Sequence, residues 1–205
     1  MTNGRVSVIT AGVLLGACGL LSCSASPPTR YFTLEAVAPS AASGAAQIGR
    51  AAGGVPVRLQ SVSIPPQLDR PELVRRSGPY RVSIDGLERW AAPLDDQIRR
   101  VLSDDLAARL PPLLLADPGE TATAKPRRLL FVAISEFSVD ESCAAMLHAD
   151  WMLRGPQGDE ERGSERVQIP ATGSCGTAVP AAMSHALAVL ADRLAAVVAG
   201  PAGGS

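Results

Sequence analysis

The sequence predicts an α+β fold: one mostly antiparallel sheet with two helices packed on one face, following a cleaved leader. Three observations predict it. Strand-like runs alternate with helical ones in the order strands, helix, strands, helix. Two stretches, one near residue 100 and one near the C-terminus, carry apolar residues at helical spacing. A polar stretch, residues 155–163, separates two strand-like runs as a hairpin would. Composition agrees with a folded body: 46% of residues are hydrophobic and only 19% charged, too apolar for a disordered chain. Aromatics are 3%, so the core must be aliphatic.

The elements follow in order. Residues Tyr31–Leu34 read as a short strand. Residues 36–54 are Ala, Gly and Ser of low complexity and read as a loop. Val55–Ile64 is a strand whose apolar positions move from odd (Val57, Leu59) to even (Val62, Ile64), which predicts a bulge near Gln60-Ser61. Pro65-Pro66 ends it. Leu73-Val74 and Tyr80–Ile84 are short strands around a Ser77-Gly78-Pro79 turn.

A helix starts at Pro93, where a missing N–H costs nothing. Asp95 and Asp96 complement its dipole at one end and Arg109 at the other. Leu94, Ile98, Val101, Leu102 and Leu106 form its apolar face, and Asp104-Asp105 falls on the solvated side. Leu129–Val139 is apolar on both faces at its start and reads as a central strand. In Ala144–Leu153, Leu147, Ala149, Trp151 and Leu153 share the buried face, and His148 and Asp150 the solvated one. Glu165–Ile169 returns antiparallel. A last helix, about 179–198, presents Met183, Leu187, Leu190, Leu194 and Val197 as a narrow buried stripe.

The first 22 residues read as an address. Arg5 precedes the uncharged run Val6–Leu21, which is short for a membrane span of about 20 residues and fits a secretory signal. Leu20-Leu21-Ser22-Cys23 resembles a bacterial lipobox, in which the Cys thiol accepts a diacylglyceryl group and cleavage follows before it. Leu15-Gly16-Ala17-Cys18 fits the same pattern. Cleavage before Cys23 leaves Cys143 and Cys175 as an even pair for an oxidising compartment, so Cys23 is the preferred site. By resemblance to Gram-negative lipoproteins, Ser24, where an Asp would signal inner-membrane retention, implies the outer membrane. The resemblance also implies three acyl chains, a stable anchor. The organisation is then 1–22 signal peptide, 23–30 lipidated tether, and 31–199 a single domain facing the periplasm.

The two late cysteines are expected to form a disulfide. The loop 155–163 is centred on residue 159, and Cys143 and Cys175 are equidistant from that centre. The same register pairs Trp151 with Val167 and Ala149 with Ile169.

Chemistry-bearing motifs are missing. A net charge of −1 argues against a nucleic-acid binder. Walker A, Rossmann, HExxH and CxxC signatures are absent, no cofactor is implied, and the late cysteines lack a His at zinc-ligand spacing. Ser184, His185 and Asp192 contain the residue types of a triad, but neighbours on a helix do not face one another. The chain is read as a non-enzyme.

Three further segments carry a family resemblance: Ser26–Leu34 (SPPTRYFTL), Ile64–Arg76 (IPPQLDRPELVRR) and Glu88–Asp96 (ERWAAPLDD). In this order, downstream of a lipobox, they resemble the PqiC-like ABC-type transport auxiliary lipoproteins over residues 20–198. The resemblance implies an accessory subunit of an intermembrane lipid-transport system, meeting an MCE-domain (mammalian cell entry) protein at the outer end of its tube and maintaining the envelope. Closed symmetry would make it a ring of identical subunits. Asp69, Arg70 and Pro71 are candidate partner contacts or a structural turn with a local Asp–Arg ion pair. Trp90 is a candidate contact or a core anchor. A lipid- or solute-binding module, with an apolar pocket between sheet and helices, and a purely structural envelope lipoprotein remain as other readings.

Overall fold

The computed structural model describes residues 26–39, 56–110, 128–173, 175–176 and 178–200. Its elements are β1 (Arg30–Phe32), β2 (Val57–Ser63), β3 (Glu72–Arg76), β4 (Val82–Trp90), α1 (Leu94–Arg109), β5 (Arg128–Val139), β6 (Ala145–Arg154), β7 (Glu160–Ile169) and α2 (Ala178–Ala199). The fold is α+β, with both helices packed against a seven-stranded sheet.

The sheet is mixed. The long ladders, β5 with β6 and β6 with β7, are antiparallel, as is β3 with β4. Three pairs are parallel: β1 with β4, β2 with β5, and β3 with β5. β5 is central, as its two-faced apolar start predicts. One edge pairs with β6 along its length. The other is shared: β2 takes the first half (Val57 opposite Arg128, Ser63 opposite Ala133) and β3 the end (Arg75 opposite Val139). The predicted bulge is present, with the β2 register shifting between Leu59 and Ser61.

Between β2 and β3 the chain leaves this edge. Proline has no N–H for a ladder, so Pro65, Pro66 and Pro71 suit an excursion. The turn closes with Leu68 N–H donating to the Pro65 carbonyl (2.9 Å), and Leu68 itself is buried.

The core lies between sheet and helices. Leu130, Val132 and Ile134 of β5, and Leu147, Ala149 and Leu153 of β6, meet Met183, Leu187, Leu190 and Leu194 of α2, all buried. The α2 stripe is broader than predicted: Ala182, Ala186, Ala191 and Ala195 are buried too, because alanine permits close approach on several sides. The helix is long and apolar enough to cross a membrane, but most of it is buried within the domain. All five predicted apolar positions of α1 are buried.

The hairpin register differs from expectation. Trp151 pairs with Gly163 and Ala149 with Glu165, and Ala145 with Ile169. The turn is Gly155–Asp159, closed by the Gly155 N–H to the Asp159 carbonyl (2.7 Å), and β7 begins at Glu160. The disulfide nevertheless forms: Cys143 and Cys175 are bonded with Cα atoms 5.5 Å apart. Cys143 sits in a turn at φ 65°, and beyond β7 the chain passes Gly173 at φ 122° to bring Cys175 back to it.

Asp105 corrects the reading of α1. It is fully buried, not on the solvated side. Its Oδ1 accepts from Val37 N–H (2.9 Å) and from Arg109 Nη1 (3.2 Å), while Arg109 Nε reaches Asp192 (2.7 Å). Burial pushes the Asp105 carboxyl above its ordinary range, against the opposing pull of the Val37 N–H and of Arg109.

Candidate functional site

Four sequence-predicted residues converge. Asp69, Arg70 and Pro71 end the proline-rich excursion, and Trp90 ends β4. With Ala92, Pro93 and Leu94 they line one open pocket of about 340 Å³. Local structure explains the meeting. Trp90 N–H donates to the Pro71 carbonyl (2.7 Å), and Ala91 N–H to the Phe32 carbonyl (2.8 Å). The end of β4 is thus held between the end of the excursion and β1. Pro93 then starts α1 at once, which puts Leu94 beside Trp90.

The pocket has an apolar floor and a charged rim. Trp90 and Leu94 are buried, whereas Asp69, Pro71, Ala92 and Pro93 are exposed and Arg70 half-buried. The turn covers Pro66–Leu68, Arg70 and Pro71 form a bend after it, and Arg70 pairs with Glu72 and not with Asp69: its Nε lies 3.2 Å from Glu72 Oε2. Arg89 approaches the other Glu72 oxygen at 3.3 Å. The hydrogen bond from Arg70 holds the Glu72 carboxyl below its ordinary range. Asp69 is left at the rim. Trp90 is a buried core residue, as the core-anchor reading expects, and it also lines the pocket. Such a pocket can take an apolar side chain from a partner and surround it with polar contacts.

A second groove, about 620 Å³, lies on the helix-free face of the sheet. Phe131 and Met152 form its apolar part and Asp150 and Arg162 its charged part. Arg154 stacks over Phe131 at 5.3 Å, and His148 Nε2 lies 2.9 Å from Ser164 Oγ. Between the sheet and the helices, the buried residues described pack into one core cluster.

Residues that sequence reasoning missed fasten the N-terminal strap 33–37 across both helices. Leu34 N–H donates to Gln97 Oε1 (2.9 Å), and Arg100 donates to the Leu34 carbonyl (2.7 Å). Glu35 N–H donates to Ser184 Oγ (3.1 Å), and Val37 is held at both ends by Asp105 and Arg109. The signal was available: Gln97, Asp105 and Arg109 lie on one i, i+4 line beside the apolar stripe of α1. The triad residue types separate in space. Ser184 donates to the Pro180 carbonyl (2.8 Å), Asp192 binds Arg109, and His185 is exposed. Among the described residues, no group of three or more His, Cys, Asp or Glu could hold a metal ion. Cys18 and Cys23 lie outside the described residues.

The chain belongs to the family of ABC-type transport auxiliary lipoprotein components, whose pattern matches residues 32–195. It is thus a lipoprotein-family member and a transport auxiliary component, a class not known for catalysis. Two crystal structures share its fold. One, of a DUF330-family protein from Xanthomonas campestris, is 16% identical with a TM-score of 0.63, over 82% of this chain and 93% of that one. The other, titled only as an uncharacterized protein, is 20% identical with a TM-score of 0.61, over 84% of this chain and 97% of that one. No curated protein is similar enough to count as a match.

Proposed function

We propose that this chain is an outer-membrane-anchored periplasmic lipoprotein, acylated at Cys23, that serves as a non-catalytic subunit of an MCE-type intermembrane lipid-transport system. The observation that carries this reading is the convergence of Asp69, Arg70, Pro71 and Trp90 on one pocket in a member of a transport-auxiliary family. Its position supports the assignment. β1 runs parallel to β4, with Arg30 opposite Glu88, so the tethered terminus enters from the end where β4 begins. The pocket lies where β4 ends. β4 is irregular between Ile84 and Arg89, so the ladder from Arg76, opposite Val82, to Pro71, bonded to Trp90, spans five residues, about 17 Å, with β1 starting two residues before Trp90. A body anchored at one end offers the pocket at the other, toward a tube arriving from the inner membrane. A ring of identical subunits would meet such a tube without unpaired interfaces.

The test is a pull-down of the MCE-domain partner with wild-type and Arg70→Glu lipoprotein, folding being checked by circular dichroism. The reversal places a carboxylate beside Glu72 and Asp69 and should weaken recovery while leaving the fold intact. No MCE protein recovered with wild type would sink the transport assignment. Equal recovery with the variant would sink only the contact.

A further inference from the structure

The β3–β4 hairpin extends away from the pocket at Trp90. Its tip carries the most exposed large apolar side chains among the described residues apart from Tyr31: Tyr80 is 101% exposed, Val82 58% and Ile84 39%. Val82 and Ile84 alternate along β4 and share one face. Their ladder partners Arg76 and Val74 share that face; the register shifts between Glu72 and Val74, so Glu88 and Trp90, buried further along the strand, lie on the other face, and among the described residues the tip is left exposed. On the strand edge, β1 reaches only Glu88–Trp90, so the first residues of β4 pair with β3 alone.

Strand direction says what the tip faces. The chain enters β1 from the hairpin end of the sheet. Because β4 is irregular between Ile84 and Arg89, the ladder from Val82 (opposite Arg76) to Arg89 (opposite Glu72) spans only four residues of β3, about 13 Å of strand, and Cys23 precedes Arg30 by seven, at most about 25 Å of extended chain. An acyl anchor at Cys23 therefore reaches the level of Tyr80 and Val82 when the tether is extended, and a slacker tether draws the tip closer. The same end holds the Cys143–Cys175 bridge, with Gly176 packed against Arg30, so the hairpin rises from a braced base.

We propose that the tip of the β3–β4 hairpin, Tyr80 with Val82 and Ile84, is a second membrane contact that sits in the interfacial layer of the bilayer holding the acyl chains. This inference rests on the anchor at Cys23. Tyrosine suits that layer, with an apolar ring and a polar hydroxyl. Charge does not drive the contact. Arg76 is paired with Glu136 (2.7 Å), and Asp140 and Glu141 border the same tip beside Gly78 and Pro79, offsetting the exposed Arg81. The contact is apolar and should resist salt.

The experiment uses the full acylated lipoprotein in phosphatidylcholine vesicles. Tyr80→Cys, and separately Val82→Cys, carries a thiol-linked, environment-sensitive fluorophore. Gln157→Cys, in the exposed β6–β7 turn at the opposite end, is the control. Mass spectrometry of the N-terminal peptide reads the acylation of Cys23 in each sample. The expected result is blue-shifted emission at 80 and 82 that brominated acyl chains quench, with neither effect at 157. It should be unchanged from about 0.1 to 1 M NaCl, over which the screening length falls from about 10 to 3 Å. Emission at 80 and 82 matching that at 157, with Cys23 acylated, overturns the hairpin contact and leaves the anchor standing. A blue shift that brominated lipid does not quench but that grows with protein density means a second copy covers the tip, and also overturns it. Unmodified Cys23 removes the anchor and the hairpin contact together.

Discussion

Arg109→Met should be among the most destabilising single changes in this domain, and the cost should fall on Asp105. The Arg109 side chain is 1% exposed and bridges Asp105, which is 0% exposed, to Asp192, which is 31% exposed. Met keeps the apolar stem but removes the cation. Asp192 can turn to water. Asp105 cannot, and its Oδ2 already lacks a hydrogen-bond partner. Removing one member of a buried ion pair costs about 3–5 kcal/mol. With an m-value of about 2 kcal/mol/M, the urea midpoint of the non-acylated mature chain at pH 7 should fall by about 2 M. The sign of the pH dependence follows from the raised Asp105 pKa. A carboxyl raised on folding contributes stability below its unfolded pKa and loses it as pH rises through the folded value. Without Arg109 that pKa rises further, so the deficit should shrink between pH 7 and pH 5. Asp105→Asn in the Arg109→Met background removes the buried charge but keeps an acceptor for Val37 N–H. It should recover about 2 kcal/mol, the order of cost of an uncompensated buried polar group. A single variant within about 1 kcal/mol of wild type, or a double variant no better than the single, would refute the reasoning.

Cys143→Ser with Cys175→Ser should cost about 3–4 kcal/mol in the chain-entropy description, read as a loss in urea stability equal to that of the reduced wild type. Gly163→Ala should destabilise despite the gain in strand propensity, because the added Cβ would lie 2.5 Å from the Trp151 ring; thermal denaturation reads this, and an unchanged midpoint would show that the ring shifts freely. Mass spectrometry of the mature N-terminal peptide should find acyl chains on Cys23 and cleavage before it, whereas a lipidated peptide beginning at Cys18 would move the anchor upstream.

The helices were legible because their burial follows a period that the side chains display: all five α1 positions and four of the five α2 stripe positions are fully buried. Parallel pairing was not legible. β2 and β3 lie in succession along one edge of β5 with only the excursion 64–71 between them, and no periodicity encodes which edge a strand will join. The hairpin register was misread because β7 opens with Glu160, Glu161 and Arg162, an exposed stretch with no apolar alternation, so its first residues resembled loop. The disulfide survived that error because Cys143 and Cys175 lie beyond the ladder, where turns set their approach. The family was legible through resemblance, since short motifs at fixed order reveal family before they reveal geometry; that Asp69, Arg70, Pro71 and Trp90 line one pocket was not. Asp105 was not, because an acidic residue on an amphipathic helix is usually solvated. Only the strap laid across α1 turns that position inward.

The most direct measurement is photo-crosslinking in the native envelope from a photoreactive residue placed at Pro71, on the pocket rim, with Gln157 as the control position. The pocket assignment predicts an adduct at position 71 whose mass-spectrometric fingerprint is an MCE-domain protein, and none with that protein at 157. No MCE adduct at 71, or equal MCE adducts at both positions, would contradict it.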